Sequence, residues 1–103
     1  MGFEYNFKIT NQDIENLSRN ADGIDNLDKL LCSAPYFIEK SESTYTYSEE
    51  PENKDQWPSN ISIQEYGFCL CIYDRSSGSP DSKLMNYLIY ELLNRCGHVE
   101  IEG

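Results

Sequence analysis

The sequence lacks the features that export and membrane insertion require. Its uninterrupted apolar runs are far shorter than the roughly 20 residues that cross a bilayer. The N-terminal stretch from Met1 to Lys8 combines neither a basic start nor a continuous apolar segment, so we expect no signal peptide. These absences predict a cytoplasmic protein that does not associate with membranes.

Basic residues are also scarce. Eight lysines and arginines stand against 18 acidic residues, which gives a formal net charge of -10. Such a chain repels phosphate backbones, so we expect no nucleic-acid ligand. It attracts a basic protein partner instead, and the rate of that encounter falls as the salt concentration rises. The alternative is that the charge serves solubility alone.

Metal-ligating side chains are few, with four cysteines and one histidine. Because we expect no export signal, we also expect the thiols to be reduced. Cys69 and Cys71, taken with Cys96 and His98, form the only grouping of suitable residue types. A C-x-C pair inside a strand, however, repeats the pleat and lacks the usual spacing of a zinc-binding turn. We therefore expect no metal ion and no cofactor.

Motifs that accompany catalysis are missing as well. The chain has no glycine-rich phosphate loop, no G-x-S-x-G elbow and no H-E-x-x-H helix. The acidic segment from Glu49 to Asp55 lacks the central glycine of a calcium-binding loop. The sequence thus predicts a protein that is not an enzyme. The alternative is an enzyme whose paired carboxylates leave no local motif.

The residues that are present predict one folded domain, spanning 1–103. The chain is 39% hydrophobic and contains eight tyrosines, four phenylalanines and one tryptophan. This apolar and aromatic content is too high for a disordered chain. A chain of this length normally builds a single core.

Two kinds of hydrophobic spacing alternate along the chain. Period-two spacing predicts strands within residues 3–9, 36–47, 61–73 and 98–102. Helical spacing predicts a helical region between Thr10 and Pro35, broken at Asp22-Gly23, and a helix that ends before Gly97. The order β-α-β-β-α-β is that of a ferredoxin-like, two-layer α+β sandwich, with an antiparallel sheet and helices on one face.

The predicted third strand changes parity along its length. Ile61 and Ile63 stand at odd positions, whereas the apolar residues within 68–72 stand at even positions. One extra residue near Tyr66-Gly67 would restore a single apolar face, so the pattern predicts a β-bulge there. The opposite face then carries Tyr66, Cys69, Cys71 and Tyr73.

Aromatic rings near the acidic segment suggest where a partner binds. Tyr45, Tyr47 and Trp57 flank that segment, and tyrosine and tryptophan are favoured at protein interfaces. Our leading hypothesis is a non-enzymatic module, for example a bacterial immunity or inhibitor protein that blocks a basic toxin or nuclease. The predicted partner-binding residues are Tyr45, Tyr47, Glu49, Glu50, Glu52, Asp55, Trp57, Tyr66 and Tyr73.

Two other interpretations remain open at this stage. The first is a small-ligand-binding or regulatory domain that forms a homodimer through its open sheet face, burying Tyr66, Cys69, Cys71 and Tyr73. The second is that the rings only cover the sheet or pack the core. The protein is accordingly expected to be a monomer or a homodimer.

Overall fold

Six strands and three helices make up the described part of the chain. The computed structural model describes residues 3–48, 58–72 and 81–102. The elements in chain order are β1 Phe3–Lys8, α1 Asn11–Ser18, α2 Leu27–Cys32, β2 Phe37–Ser41, β3 Thr44–Tyr47, β4 Ser59–Gln64, β5 Gly67–Ile72, α3 Asp81–Cys96 and β6 Ile101–Glu102. The strands form one antiparallel sheet in the order β2-β3-β4-β5-β1-β6.

The α+β class is confirmed, but the ferredoxin-like order is wrong. Two of the predicted strands are each a hairpin, so that the sheet has six strands. The segment 36–47 turns at Glu42-Ser43, and the segment 61–73 turns at Glu65-Tyr66. A tight reversal of two residues joins neighbouring antiparallel strands, and such strands lie side by side in the sheet.

The same hairpin explains the change of parity in the predicted third strand. Across the turn at Glu65-Tyr66, Ile63 lies opposite Phe68 and Ile61 lies opposite Leu70. A two-residue turn always pairs an odd position with an even one, and directly opposed residues share a face. The predicted β-bulge near Tyr66-Gly67 is therefore wrong. The observed register shift lies in β2, between Phe37 and Glu39.

Gly67 is the first residue of β5 and lies opposite Lys8 of β1. Its φ is +147°, and a Cβ atom at this position would lie 1.9 Å from the carbonyl oxygen of Phe7. The amide of Ile9 also donates to the carbonyl oxygen of Tyr66, at 2.8 Å. Only glycine fits such a close approach of two backbones.

One face of the sheet holds the core. Phe7 and Phe68 are direct cross-strand partners, and their rings stack with centroids 4.6 Å apart. Buried leucines of α2 and α3 pack against the strand residues of this face. The core comprises Phe7, Leu30, Leu31, Ala34, Tyr45, Tyr47, Ile61, Phe68, Leu70, Ile72, Leu84, Leu88 and Leu92.

Specific hydrogen bonds define where α1 begins and hold α3 against the segment that precedes α2. The Thr10 hydroxyl accepts from the Asp13 amide, and the Asp13 carboxylate accepts from the Thr10 amide; this capping box confirms the predicted helix start. The buried Arg95 of α3 donates to Asp22 at 2.6 Å and to the carbonyl oxygen of Ile24 at 3.0 Å, which fixes the connection before α2. Among the described helices, none has the length and apolar character needed to cross a membrane.

We predict that Gly67→Ala destabilises the protein by about 3 kcal/mol or more, because either β1 or β5 must move and the backbone is strained. Gly23→Ala is the matched control: its φ is +92°, but no atom lies within 4 Å of the added methyl group. It should cost only about 1–2 kcal/mol. Urea unfolding of both variants tests this, and equal losses would contradict the proposed backbone contact.

Candidate functional site

The face of the sheet opposite the core is polar. Asn6 of β1 and Ser62 of β4 lie on either side of Cys69, while Glu4 and Asn60 flank Cys71. None of these residues belongs to the core cluster. The residues of this polar face on β1, β3, β4 and β5 are Glu4, Asn6, Lys8, Thr44, Thr46, Asn60, Ser62, Gln64, Cys69 and Cys71.

Two thiols meet at the centre of the polar face, as the sequence placed them. The Sγ atoms of Cys69 and Cys71 are 3.9 Å apart. Cys69 is 5% exposed and Cys71 is half-buried. Burial raises the pKa of Cys69 to about 11, and the neighbouring Cys71 and Glu4 add to the effect. Neither cysteine takes part in a disulfide in the structure.

Cys96 and His98, the other two side chains that the sequence analysis weighed as metal ligands, do not lie beside Cys69 and Cys71. His98 Nε2 is 2.8 Å from Asp13 Oδ1, and Cys96 Sγ is 3.8 Å from the Asp13 carbonyl oxygen. Cys96 and His98 therefore contact α1, whereas Cys69 and Cys71 lie on the polar face. Within residues 3–48, 58–72 and 81–102, no group of three or more His, Cys, Asp or Glu side chains is placed to hold a metal ion.

The contacts of Asp13 are those of a structural group. Its side chain is almost completely buried, and its two oxygens bind the Thr10 amide and His98. Burial raises the pKa of Asp13, but the bonds from Thr10 and His98 outweigh it and hold the pKa below its usual value. The nearby Cys96 has a raised pKa because it is buried, which disfavours the thiolate that nucleophilic catalysis needs.

Tyr45 and Tyr47 lie in the core, so their predicted place on an exposed aromatic surface is wrong. Both are 2% exposed, because their side chains point to the face that α2 covers. The Tyr45 hydroxyl donates to Asp28 at 2.6 Å, and the Tyr47 hydroxyl donates to the Leu31 carbonyl oxygen at 2.7 Å. Burial, followed by the bond to Asp28, raises the pKa of Tyr45 to about 12.

Tyr66, by contrast, is 73% exposed in the turn between β4 and β5. The two hairpin turns lie side by side, since the Ile63 amide donates to the Ser43 carbonyl oxygen at 2.9 Å. We call this surface the hairpin end, and it comprises Glu42, Ser43, Ile63, Glu65 and Tyr66. Neither acidic side chain of the hairpin end forms an ion pair with any residue in the described ranges.

The remaining predicted partner-binding residues lie outside the described residues; they are Glu49, Glu50, Glu52, Asp55, Trp57 and Tyr73. The acidic segment joins β3 to β4, and the flanking residues Tyr47 and Ser59 are paired with each other. Gln64 lies next to the hairpin end, five residues along β4 from Ser59. The distance between these two residues along the strand is therefore about 17 Å. The structure does not bring Tyr66 to the ends of the strands that carry the acidic segment.

Comparisons of the chain with models of protein families, with curated proteins and with solved structures find no match. The geometry described above is therefore the basis for the functional proposals.

We predict that Tyr47→Phe lowers the free energy of unfolding by about 1–2 kcal/mol, because the Leu31 carbonyl oxygen loses its 2.7 Å bond from the Tyr47 hydroxyl and keeps the longer one, at 3.4 Å, from the Ala34 amide. Tyr66→Phe makes the same chemical change at an exposed position and should alter stability by less than about 0.5 kcal/mol. Urea denaturation measures both. Equal effects would contradict the different placement of the two rings.

A second prediction concerns acid stability. The pKa of Asp13 is lowered from 3.8, so its contribution to stability is complete above that pH and is lost as the pH falls through the folded-state pKa. We expect Asp13→Asn to be destabilising at pH 7 and to lose less stability than the wild type below about pH 4. His98→Gln should shift the wild-type acid loss to higher pH. Denaturation at a series of pH values tests both, and superimposable pH profiles would contradict the assignment.

Proposed function

We propose that this protein is a non-enzymatic module that binds a basic protein partner through an acidic surface. The observation that carries the proposal is the distribution of charge pairing in the described ranges. Most cations there are engaged internally, whereas carboxylates at the hairpin end have no cation partner. A surface of this kind accelerates the approach of a basic protein.

The internal pairs engage four of the basic side chains. Lys8 is 2.7 Å from Glu102, Lys29 is 3.0 Å from Asp25 and Lys40 is 2.6 Å from Asp28. Arg95 binds two carboxylates, those of Asp22 and Glu91. The carboxylates without an ion pair to a described residue are Glu4, Glu15, Glu39, Glu42 and Glu65.

The hairpin end combines this charge with an exposed ring. Tyr66 lies next to Glu65 in the sequence, and Glu42 lies in the adjacent turn. Tyrosine provides a large, rigid contact area together with a polar hydroxyl, which is why it is enriched among the residues that dominate binding energy. Two carboxylates in the turns beside an exposed aromatic ring suit a basic partner. A bacterial immunity or inhibitor protein directed at a cationic toxin or nuclease is the role that we favour.

The acidic segment with Glu49, Glu50, Glu52 and Asp55, together with Trp57, stays a predicted second contact. The described residues that flank it, Tyr47 and Ser59, lie at the ends of β3 and β4 away from Tyr66. The experiment therefore tests the hairpin end and the acidic segment by separate sets of substitutions.

The polar face supports a stable homodimer less well. Its members are mainly hydroxyl and amide side chains, whereas the interfaces of permanent homodimers are more apolar than the average surface. No comparable observation favours a carboxylate-based enzyme, since Asp13 uses its oxygens in structural bonds.

The test starts with capture on the immobilised protein from lysate of its native cells, at low and at high salt, with identification by mass spectrometry. We expect one basic protein to be retained at low salt, and we expect its binding to weaken at high salt. With that partner purified, Glu65→Lys should reduce the association rate about 3- to 10-fold. Stopped-flow mixing measures the rate.

The matched control is Glu15→Lys, which makes the same change of charge on α1, where Glu15 has no ion pair to a described residue. It should reduce the rate much less than Glu65→Lys. Replacement of Glu49, Glu50, Glu52 and Asp55 by lysine tests the second region separately. Absence of a basic partner at either salt concentration would overturn the proposal, and equal slowing by both single variants would refute a role for the hairpin end.

A further inference from the structure

Two sulfur atoms converge on the polar face in a way that strand geometry does not require. Alternate residues of a strand are about 6.6 Å apart along its axis. The Sγ atoms of Cys69 and Cys71 are only 3.9 Å apart, so the two side chains lean toward each other. We propose that Cys69 and Cys71 form a two-thiolate binding site for a thiophilic monovalent ion, Cu⁺.

The separation of the sulfurs matches that of two ligands on one metal ion. With metal–sulfur bonds of about 2.3 Å, two thiolates at an angle of 120° lie about 4.0 Å apart. The site needs little rearrangement to reach that geometry. It is also well supported, because β5 is an interior strand that pairs with β4 on one side and β1 on the other.

The number and kind of ligands favour Cu⁺ over Zn²⁺. Soft thiolates select Cu⁺, whereas protein zinc sites usually provide three or four ligands. In the described ranges, no third His, Cys, Asp or Glu completes a metal cluster here. The residues beside the thiols on β1 and β4 are Glu4, Asn6, Asn60 and Ser62. Amide and hydroxyl groups are poor ligands for a soft ion, and a small thiol from solution can fill a third position.

Binding is an exchange of protons for the metal ion. Each thiol releases one proton to water, each sulfur forms one bond to copper, and the ion stays Cu⁺ throughout, so no electron is transferred. Glu4 lies opposite Cys71 on β1, and its negative charge favours a cation near the pair. Cys71 is half-buried, which leaves a route for the ion to enter.

The experiment is an anaerobic competition for Cu⁺ between the reduced protein and bicinchoninate, whose copper complex absorbs visible light. We expect the wild type to withdraw one equivalent of Cu⁺. Cys69→Ser and Cys71→Ser should each weaken binding by about 10²- to 10⁴-fold, because the second thiolate then no longer binds intramolecularly. Cys32→Ser and Cys96→Ser are the matched controls and should retain the wild-type affinity.

Circular dichroism checks that each variant is folded, and Cys71→Ser provides the test at the more exposed position if Cys69→Ser does not fold. No uptake by the wild type beyond that of the Cys69→Ser/Cys71→Ser double variant would overturn the proposal. Loss of binding in the Cys32 control would also overturn it, since uptake would then depend on a thiol outside the pair. A parallel titration with Zn²⁺ identifies the ion, and tight binding of Zn²⁺ without Cu⁺ would contradict the assignment.

Discussion

The register of β5 against its two neighbours is the constraint on which the rest of the structure depends. Phe68 lies opposite Phe7 on one side and Ile63 on the other, so that large apolar side chains from three strands share one face. A shift of β5 by one residue would turn its apolar side chains away from the face that Phe7 and Ile63 share. Gly67 protects this register, because the backbone of β1 passes too close for any larger residue.

The features on which the functional proposals rest follow from the same register. Cys69 and Cys71 are alternate residues of β5, and the pairing places them between polar and acidic residues of β1 and β4. The register also places the turn with Glu65 and Tyr66 beside the turn with Glu42. The thiols on the polar face, and the acidic charge at the hairpin end that no described cation pairs with, are thus separate consequences of one arrangement of strands.

Buried and half-buried tyrosines hold α2 against the sheet and α3. Tyr45 and Tyr47 reach across the core so that their hydroxyls bind Asp28 and the Leu31 carbonyl oxygen. The Tyr87 hydroxyl of α3 binds the neighbouring Leu30 carbonyl oxygen. These bonds satisfy polar groups at a short helix and explain why a chain rich in tyrosine exposes only some of its rings.

Local signals in the sequence were sufficient for the helices and for the first strand. Thr10 and Asp13 predicted the start of α1, and Gly97, with a φ of +84°, stands just after α3 as predicted. The hairpins were missed because neither Glu42-Ser43 nor Glu65-Tyr66 carries the Asn-Gly or Asp-Gly pair that normally marks a two-residue turn. The change of parity was the only signal of a reversal, and a bulge explains such a change equally well.

Less of the candidate site could be predicted, because only part of it depends on the spacing of residues along the chain. Which face a strand residue occupies follows from alternation, so the placement of the cysteines was correct. The burial of Tyr45 depends on where α2 packs, and the convergence of two Sγ atoms depends on side-chain rotamers. Neither property is encoded in the spacing of residues along the chain. Both emerge only when distant segments come together.

The most direct test of this account is a measurement of cross-strand backbone nuclear Overhauser effects in isotopically labelled protein. The account predicts contacts that join Ile63 with Phe68, Ile61 with Leu70 and Phe7 with Phe68. Contacts displaced by one residue, or an absence of contacts between β4 and β5, would contradict it. Either result would move the cysteines and Tyr66 to different surfaces and remove the basis of the functional proposals.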